Sequence, residues 1–303
     1  TVQATSIQEY SVVRRPRAAG PEFDSAAIYE YPEHLRPWLE ALPRHPGVYI
    51  FHGESDTMPL YIGKSVNIRS RVLSHLRTAD EAAMLRQSRR ITFTCTAGEV
   101  GALLLEAQMI KEQQPLFNKR LRRNRQLCSL LLANGKPQVV YAKEVDFAAQ
   151  SGLYGLFANR RAALETLKTI ADDWQLCYGL VGLESLPRGR ACFRSALKRC
   201  AGACCGRESE AEHFTRLLDA LEQMRVVCWP WNGPVGLKES FGEMTQYHII
   251  HNWFWLGSVE RLEDAAQFKQ PQRGFDNDGY KILCKPMIRG DFDIIELGDS
   301  LSR

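Results

Sequence analysis

Five cysteines, Cys177, Cys192, Cys200, Cys204 and Cys205, fall within 29 residues of this 303-residue chain, and that crowding constrains its fold more than any other feature. The other four, Cys95, Cys128, Cys228 and Cys284, are scattered. The N-terminus carries Arg14, Arg15 and Arg17 with no apolar run behind them, so it does not read as a secretory signal. Outside an oxidising compartment, clustered cysteines serve as metal or cofactor ligands rather than as disulfides. Cys177, Cys192, Cys200 and Cys204 are separated by 14, 7 and 3 residues, and Cys205, adjoining Cys204, is expected to point elsewhere. Soft thiolates suit either structural Zn²⁺, the commoner choice, or a [4Fe–4S] cluster. Four sulfur ligands leave no open position for hydrolysis, so this centre is expected to be structural.

Around that module the chain reads as an α+β protein. Hydrophobic residues at 45% and charged residues at 24% exclude a wholly disordered, collagen-like or coiled-coil chain. No window approaches the roughly 20 uncharged apolar residues of a membrane-spanning helix, so no membrane partner and a cytoplasmic address are expected. Four stretches follow: a leader over 1–30, a compact mixed α/β domain over 31–125, linker strands with the cysteine module over 126–225, and an aromatic, β-rich region over 226–303.

Within 31–125, Pro46-Gly47 opens a β-type run at 48–51, and a polar loop leads to a second run at 60–62, the pattern of a hairpin. Gly63 and Ser65 break that run and cap a helix over 66–77. A helical patch at 80–90, a strand at 91–95 and the strongest helix, 99–114, come next, the last stopped by Pro115. Further on, strands at 128–132 and 139–143 flank an Asn134-Gly135 turn, and helices are expected over 161–173 and 208–225.

The net charge of +4 hides a concentration: residues 61–125 hold 13 Lys/Arg against 5 Asp/Glu, a local charge of +8. A basic block on an otherwise near-neutral chain is either a solvated helix face or the footprint of a polyanion. The chemistry beside it decides. Asn67, Arg71 and His75 share one face of the first helix, Lys64 precedes it, and Tyr49 and Tyr61 lie on the hairpin that feeds it. On the strong helix, Glu106 shares a face with Leu103 and Ile110, a lone carboxylate inside an apolar stripe. Such a group is costly unless it meets a cation, a metal or water, or lies at the exposed edge of the stripe.

Gly47-Val48-Tyr49, a short loop and Tyr61-Ile62-Gly63 resemble the signature of the GIY-YIG nuclease family, and Lys64, Asn67, Arg71, Glu106 and Asn118 follow in that family's order. Within it the chain is most similar to the UvrC-type excision nucleases, and from about residue 22 onward to a short stand-alone UvrC homologue. The resemblance implies a small nuclease domain with a short antiparallel sheet flanked by helices. It implies a DNA endonuclease that binds Mg²⁺ or Mn²⁺ through Glu106, a hard site of the usual kind for phosphodiester hydrolysis. Tyr61 is then the general base, needing nearby positive charge to lower a reference pKa near 10. Lys64 and Arg71 supply charge and Arg71 clamps the phosphate. Tyr49 orients water or phosphate, His75 fills a Tyr/His slot, and Asn118 holds the geometry. Arg69 and the run Lys119, Arg120, Arg122, Arg123 and Arg125 become phosphate contacts that position a duplex without reading its sequence.

The last three cysteines resemble the UvrC pattern and favour [4Fe–4S] over zinc, with Cys177 the least well matched. Arg188, Arg190, Arg194, Lys198 and Arg199 interleave with them, so the module is a candidate for DNA contact too. The implied partners are damaged double-stranded DNA and UvrB, loaded by UvrA, with the chain acting as a monomer and cutting on the 3′ side of a lesion. It is expected to lack the second nuclease domain that makes the 5′ incision. Two other readings stay open: a UvrB-independent nuclease for branched or foreign DNA, and a non-catalytic iron–sulfur DNA-binding protein. The aromatic run at 247–255 is expected to be core. Neither His248 and His251 nor the aspartate pairs 276/278 and 291/293 have an accompanying constellation.

Overall fold

The computed structural model describes residues 32–118, 126–186, 190–268 and 274–298; the expected leader, the basic run at 119–125 and Arg188 lie outside the described residues. Two compact units emerge, one combining the residues up to 118 with 231–268 and 278–298, the other formed by the stretch between them and residues 274–277.

The first unit starts with a short helix, α1 (Arg36–Glu40), then a hairpin of β1 (Gly47–His52) and β2 (Pro59–Ser65). Helices α2 (Ile68–His75) and α3 (Ala82–Gln87), strand β3 (Arg90–Cys95) and helix α4 (Glu99–Gln113) follow. All pairings are antiparallel in the order β2-β1-β3. Because side chains alternate along a strand, β1 sends Tyr49 and Phe51 to one face and Val48 and Ile50 to the other. Tyr49 and Phe51 join Tyr61, Ile68, Val72, Leu39 and Met84 in one core; Val48, Ile50 and Ile62 meet Ile110 of α4 in a second. A central strand covered on both faces explains its unbroken apolar run. Asn67 caps α2, its side chain accepting from the Ser70 N–H, so the helix begins at Ile68, two residues later than expected. At the other end of the domain, α4 closes on a left-handed Gln114 just before Pro115.

The second unit holds β4 (Cys128–Ala133), β5 (Lys136–Tyr141) and β6 (Leu153–Phe157) in the order β5-β4-β6, with helices α5 (Arg160–Asp173), α6 (Phe193–Ala196) and α7 (Glu210–Leu221). Asn134 and Gly135 both take positive φ, 53° and 75°, which makes the two-residue turn that matches strand twist. The turn is so tight that β5 begins at Lys136, three residues before the expected start, and Pro137 is tolerated because β5 is an edge strand. Strand β6 was not foreseen, and its Gly155, at φ 75°, lies where the register with β4 shifts. Helix α7 is opened by a capping box between Ser209 and Glu212, which fixes its start at Glu210.

The chain then returns to the first unit with β7 (Val235–Phe241), β8 (Met244–His251), β9 (Phe254–Val259), α8 (Asn277–Arg289) and β10 (Ile294–Glu296), in the sheet order β10-β7-β8-β9. Its aromatic run is core at Trp253, which is fully buried against Trp231 and Tyr280. No helix among the described residues is long and apolar enough to cross a membrane.

Candidate active site and cysteine centre

Hairpin register brings the two motif tyrosines together: Tyr49 pairs with Gly63 and Tyr61 with Phe51, leaving the tyrosine rings 6.1 Å apart. Gly63 has to be glycine, because a Cβ there would stand 2.4 Å from the Tyr49 hydroxyl. Gly47 is equally constrained, since its Cβ would meet the Thr94 carbonyl at 2.2 Å. With that space open, the Tyr49 hydroxyl reaches the Nε2 of His75, at 2.6 Å, on the last turn of α2. The other ring nitrogen of His75, Nδ1, bonds the carboxylate of Glu81. A carboxylate on Nδ1 fixes the ring proton there, so Nε2 accepts and Tyr49 donates. The positive charge of Arg71, one turn earlier on α2, faces the same tyrosine and favours its ionised form.

Glu106 comes to this group from α4. It is 2% exposed, and its carboxylate meets the backbone N–H of Lys64 at the end of β2. Oε2 is buried with no hydrogen-bond partner. Burial pushes the carboxyl up to about 8, against the opposing pull of Lys64 and Arg71. Burial likewise raises both tyrosines well above the ordinary range, the negative charge of Glu106 adding to the effect and Arg71 opposing it. A buried oxygen without a partner, set between a lysine, an arginine and two tyrosines, fits a divalent cation: the ion would satisfy Oε2 and lower the tyrosines together.

Asn118 holds the edge of this site. Its Oδ1 accepts from the Ile62 N–H and its Nδ2 donates to the Ile62 carbonyl, both at 2.8 Å, so one side chain serves as a strand partner for β2. Asn67 is spent on capping α2, and the Arg69 guanidinium donates to the carbonyl of Leu39 at 3.1 Å and reaches those of Glu40 and Leu42. Arg69 thus ties α1 to α2, and a phosphate contact would compete with those carbonyls.

Two features were not anticipated in the sequence. Glu81 is one; nothing in its surroundings marks a partner for His75. The other lies at the N-terminus of α4, where Glu239 of β7 accepts from the N–H groups of Val100 and Gly101 at 3.0 and 2.8 Å. Glu239 also bonds His248 at 2.7 Å, and His248 bonds Ser258 at 2.6 Å. Gln246 accepts from the Ala97 N–H, and Lys111 pairs with Asp278. Strands β7 and β8 therefore pin the start of the helix that presents Glu106, placing a carboxylate where helix amides lack partners.

In the second unit the four expected cysteines converge, every Sγ within 4.8 Å of the others. Cys205 stands apart, its thiol directed to the Gly202 carbonyl and Ser195. Arg194 braces the loop, donating to the Leu176 and Arg199 carbonyls and to Asp172 and stacking 3.6 Å over Tyr178. His213 accepts from the Cys177 N–H, and burial lowers its basicity in keeping with that role. Burial pushes the Cys177 and Cys200 thiols up, so four adjacent thiolates need a cation to hold them, and an all-sulfur set fits a soft metal centre.

Family models match almost the whole described chain: a UvrC-like GIY-YIG domain at residues 45–119, the UvrC/Cho excinuclease middle domain at 119–223, and the excinuclease Cho C-terminal domain at 234–301. Excinuclease Cho of Escherichia coli K12 is 71% identical over 94% of this chain and 97% of its own length, and that of Salmonella typhi 68% identical over 94% and 98%. UvrABC system protein C of Hyphomonas neptunium is 34% identical over 60% of this chain and 30% of its own length. A solved GIY-YIG N-terminal endonuclease domain of UvrC from Thermotoga maritima, bound to magnesium as its catalytic divalent cation, is 30% identical over 29% of this chain and 98% of that one, with a TM-score of 0.27.

Proposed function

The chain belongs to the Cho family of excinucleases, and from that premise we propose that it cuts damaged duplex DNA once, on the 3′ side of a lesion, in a complex that UvrB has prepared. It is an endonuclease of excision repair that hydrolyses phosphodiester bonds. The observation that carries the site-level reading is the partnerless, buried Oε2 of Glu106 among Lys64, Arg71, Tyr49 and Tyr61.

In this reading Glu106 holds Mg²⁺ or Mn²⁺, which when bound supplies Lewis-acid stabilisation of charge on the phosphate. The other roles belong to the chain's own side chains. Tyr61 takes the proton of the attacking water, whose oxygen forms the new bond to phosphorus as the bridging oxygen leaves. Its hydroxyl is raised by burial, so that role depends on the positive charge gathered by Arg71, Lys64 and the ion. Tyr49 is held in place by His75, itself oriented by Glu81, and Arg71 binds a non-bridging phosphate oxygen. Asn118 holds β2 through its two bonds to Ile62, next to Tyr61. Duplex backbone falls to Lys119, Arg120, Arg122, Arg123 and Arg125, Arg69 being taken up by the carbonyls of α1, and the chain acts as a single copy. Cys177, Cys192, Cys200 and Cys204 hold a structural [4Fe–4S] cluster.

Strand-specific nicking of a lesion-bearing duplex, with and without UvrA and UvrB, tests the reading. A single 3′-side nick that requires UvrB and disappears in Glu106→Gln supports it. Equal nicking without UvrB replaces it with an autonomous nuclease. Charge-transfer absorbance near the visible edge in protein purified without oxygen supports the iron–sulfur assignment, and stoichiometric zinc without that absorbance overturns it.

A further inference from the structure

Residues 190–207 wrap the cysteine centre and carry five cations, Arg190, Arg194, Lys198, Arg199 and Arg207, with no carboxylate among them. Arg194 is turned inward and committed to carbonyls and Asp172; the other four are exposed. Between them stand two apolar side chains that the fold leaves in water: Phe193, 76% exposed, and Leu197, 50% exposed. They are four residues apart, on α6 and its C-cap, so both lie on one side of that turn.

Looseness does not explain this exposure. The ridge is held at both ends by buried Cys192 and Cys200. Inside it, the Ser195 and Lys198 N–H groups close on the Cys192 and Ser195 carbonyls, and Lys198 takes a left-handed φ of 57°. Buried Arg194 ties the turn to Leu176 and Asp172 from beneath. A braced scaffold thus presents an aromatic and an aliphatic side chain in a stretch whose exposed charges are all positive.

That combination selects its partner. Four exposed cations without an acid call for a polyanion, and an apolar pair among them calls for apolar surface between the anions. Intact duplex offers phosphates but hides its bases. Duplex with an opened base step offers both, because an unstacked base has a free face for an aromatic ring. We propose that the Phe193–Leu197 ridge is a second DNA contact, in which Phe193 and Leu197 lie against bases exposed at a helix distortion while Arg190, Lys198, Arg199 and Arg207 hold the flanking phosphates. The inference rests on damaged DNA being the substrate.

The test is binding of the full, cluster-loaded chain, without divalent cation, to three oligonucleotides: an intact duplex, the same duplex with an unpaired bubble, and the bubble with 2-aminopurine at the opened step. Phe193→Ala is expected to weaken bubble binding about tenfold and to abolish the change in 2-aminopurine emission, with intact-duplex affinity unchanged. Phe193→Trp should restore both. Lys198→Ala/Arg199→Ala is expected to weaken both duplexes and to lower the slope of log K against log salt by about 1 to 2. Cluster absorbance and the unfolding midpoint establish that each variant is folded. Equal affinity of wild type and Phe193→Ala for bubble and intact duplex overturns the proposal. So does a Phe193→Ala defect that appears only when UvrB is added, which assigns the ridge to a protein contact. If Phe193→Ala binds and nicks as wild type does, the ridge fails while the nuclease reading stands. If wild type nicks no lesion DNA under any condition, the nuclease reading fails with it.

Discussion

Glu106 and Glu239 are both buried carboxylates set against α4, yet their surroundings differ in every respect that matters. Glu239 arrives from β7, accepts two backbone N–H groups at the helix start and bonds His248, so the charge is matched on all sides. Glu106 meets the Lys64 amide, while its second oxygen finds nothing and burial pushes its carboxyl up to about 8. The same residue type is satisfied where the fold supplies donors and left with an open oxygen where the fold withholds one. Helix α4 joins the two, fixed at its N-terminus so that the deficient carboxylate is presented in a constant position.

Glu106→Gln should produce the largest separation, a loss of about 10³-fold or more in nicking with the fold intact. Glu239→Ala should do the reverse in kind, lowering the unfolding free energy by about 3 kcal/mol because His248 and two helix amides lose their acceptor; denaturant titration of the two variants side by side checks the pair. Asn118→Ala lies between them. It removes both bonds to Ile62 and should cost about 2 kcal/mol together with a roughly tenfold slower cut.

The pH response sharpens the contrast. Glu106 titrates higher in the fold than the ordinary 4.5 of a free glutamate, so folding favours its acid form. Without divalent cation, its contribution is therefore fully present below about pH 4.5 and is lost as the pH rises toward 8. Glu106→Gln should flatten that decline, and unfolding curves at pH 5.5 and 8.5 would show it. The smallest effect is expected from Lys111→Ala, which breaks the part-buried pair with Asp278 for about 0.5 kcal/mol.

Most of the nuclease domain was legible because its elements are short and punctuated. Pro46-Gly47, the polar loop and Pro115 bound their elements, and the apolar stripe of α4 marks Glu106 as anomalous. The motif residues Tyr49, Tyr61, Lys64, Arg71, His75 and Glu106 do come together, and the four thiols converge as their clustering implies. What could not be read depends on pairing across distance. Glu239 looks like one more polar residue on a strand, and only the register of β7 with β8 brings it to His248 and the start of α4. Glu81 sits in a polar stretch with no pattern of its own. Arg69 reads as a surface cation until the carbonyls of α1 turn out to lie beneath it. Strand β6 is disguised by Gly155, which sits at its bulge with a positive φ.

Titration of the full chain with Mn²⁺, followed by the loss of the free-ion resonance, reads out whether Glu106 holds the ion. One tight site is expected in wild type, the same site in Glu239→Gln, and none in Glu106→Gln. Equal Mn²⁺ binding by wild type and Glu106→Gln would contradict it, leaving Glu106 a trapped carboxylate and the metal-binding role without a residue to perform it.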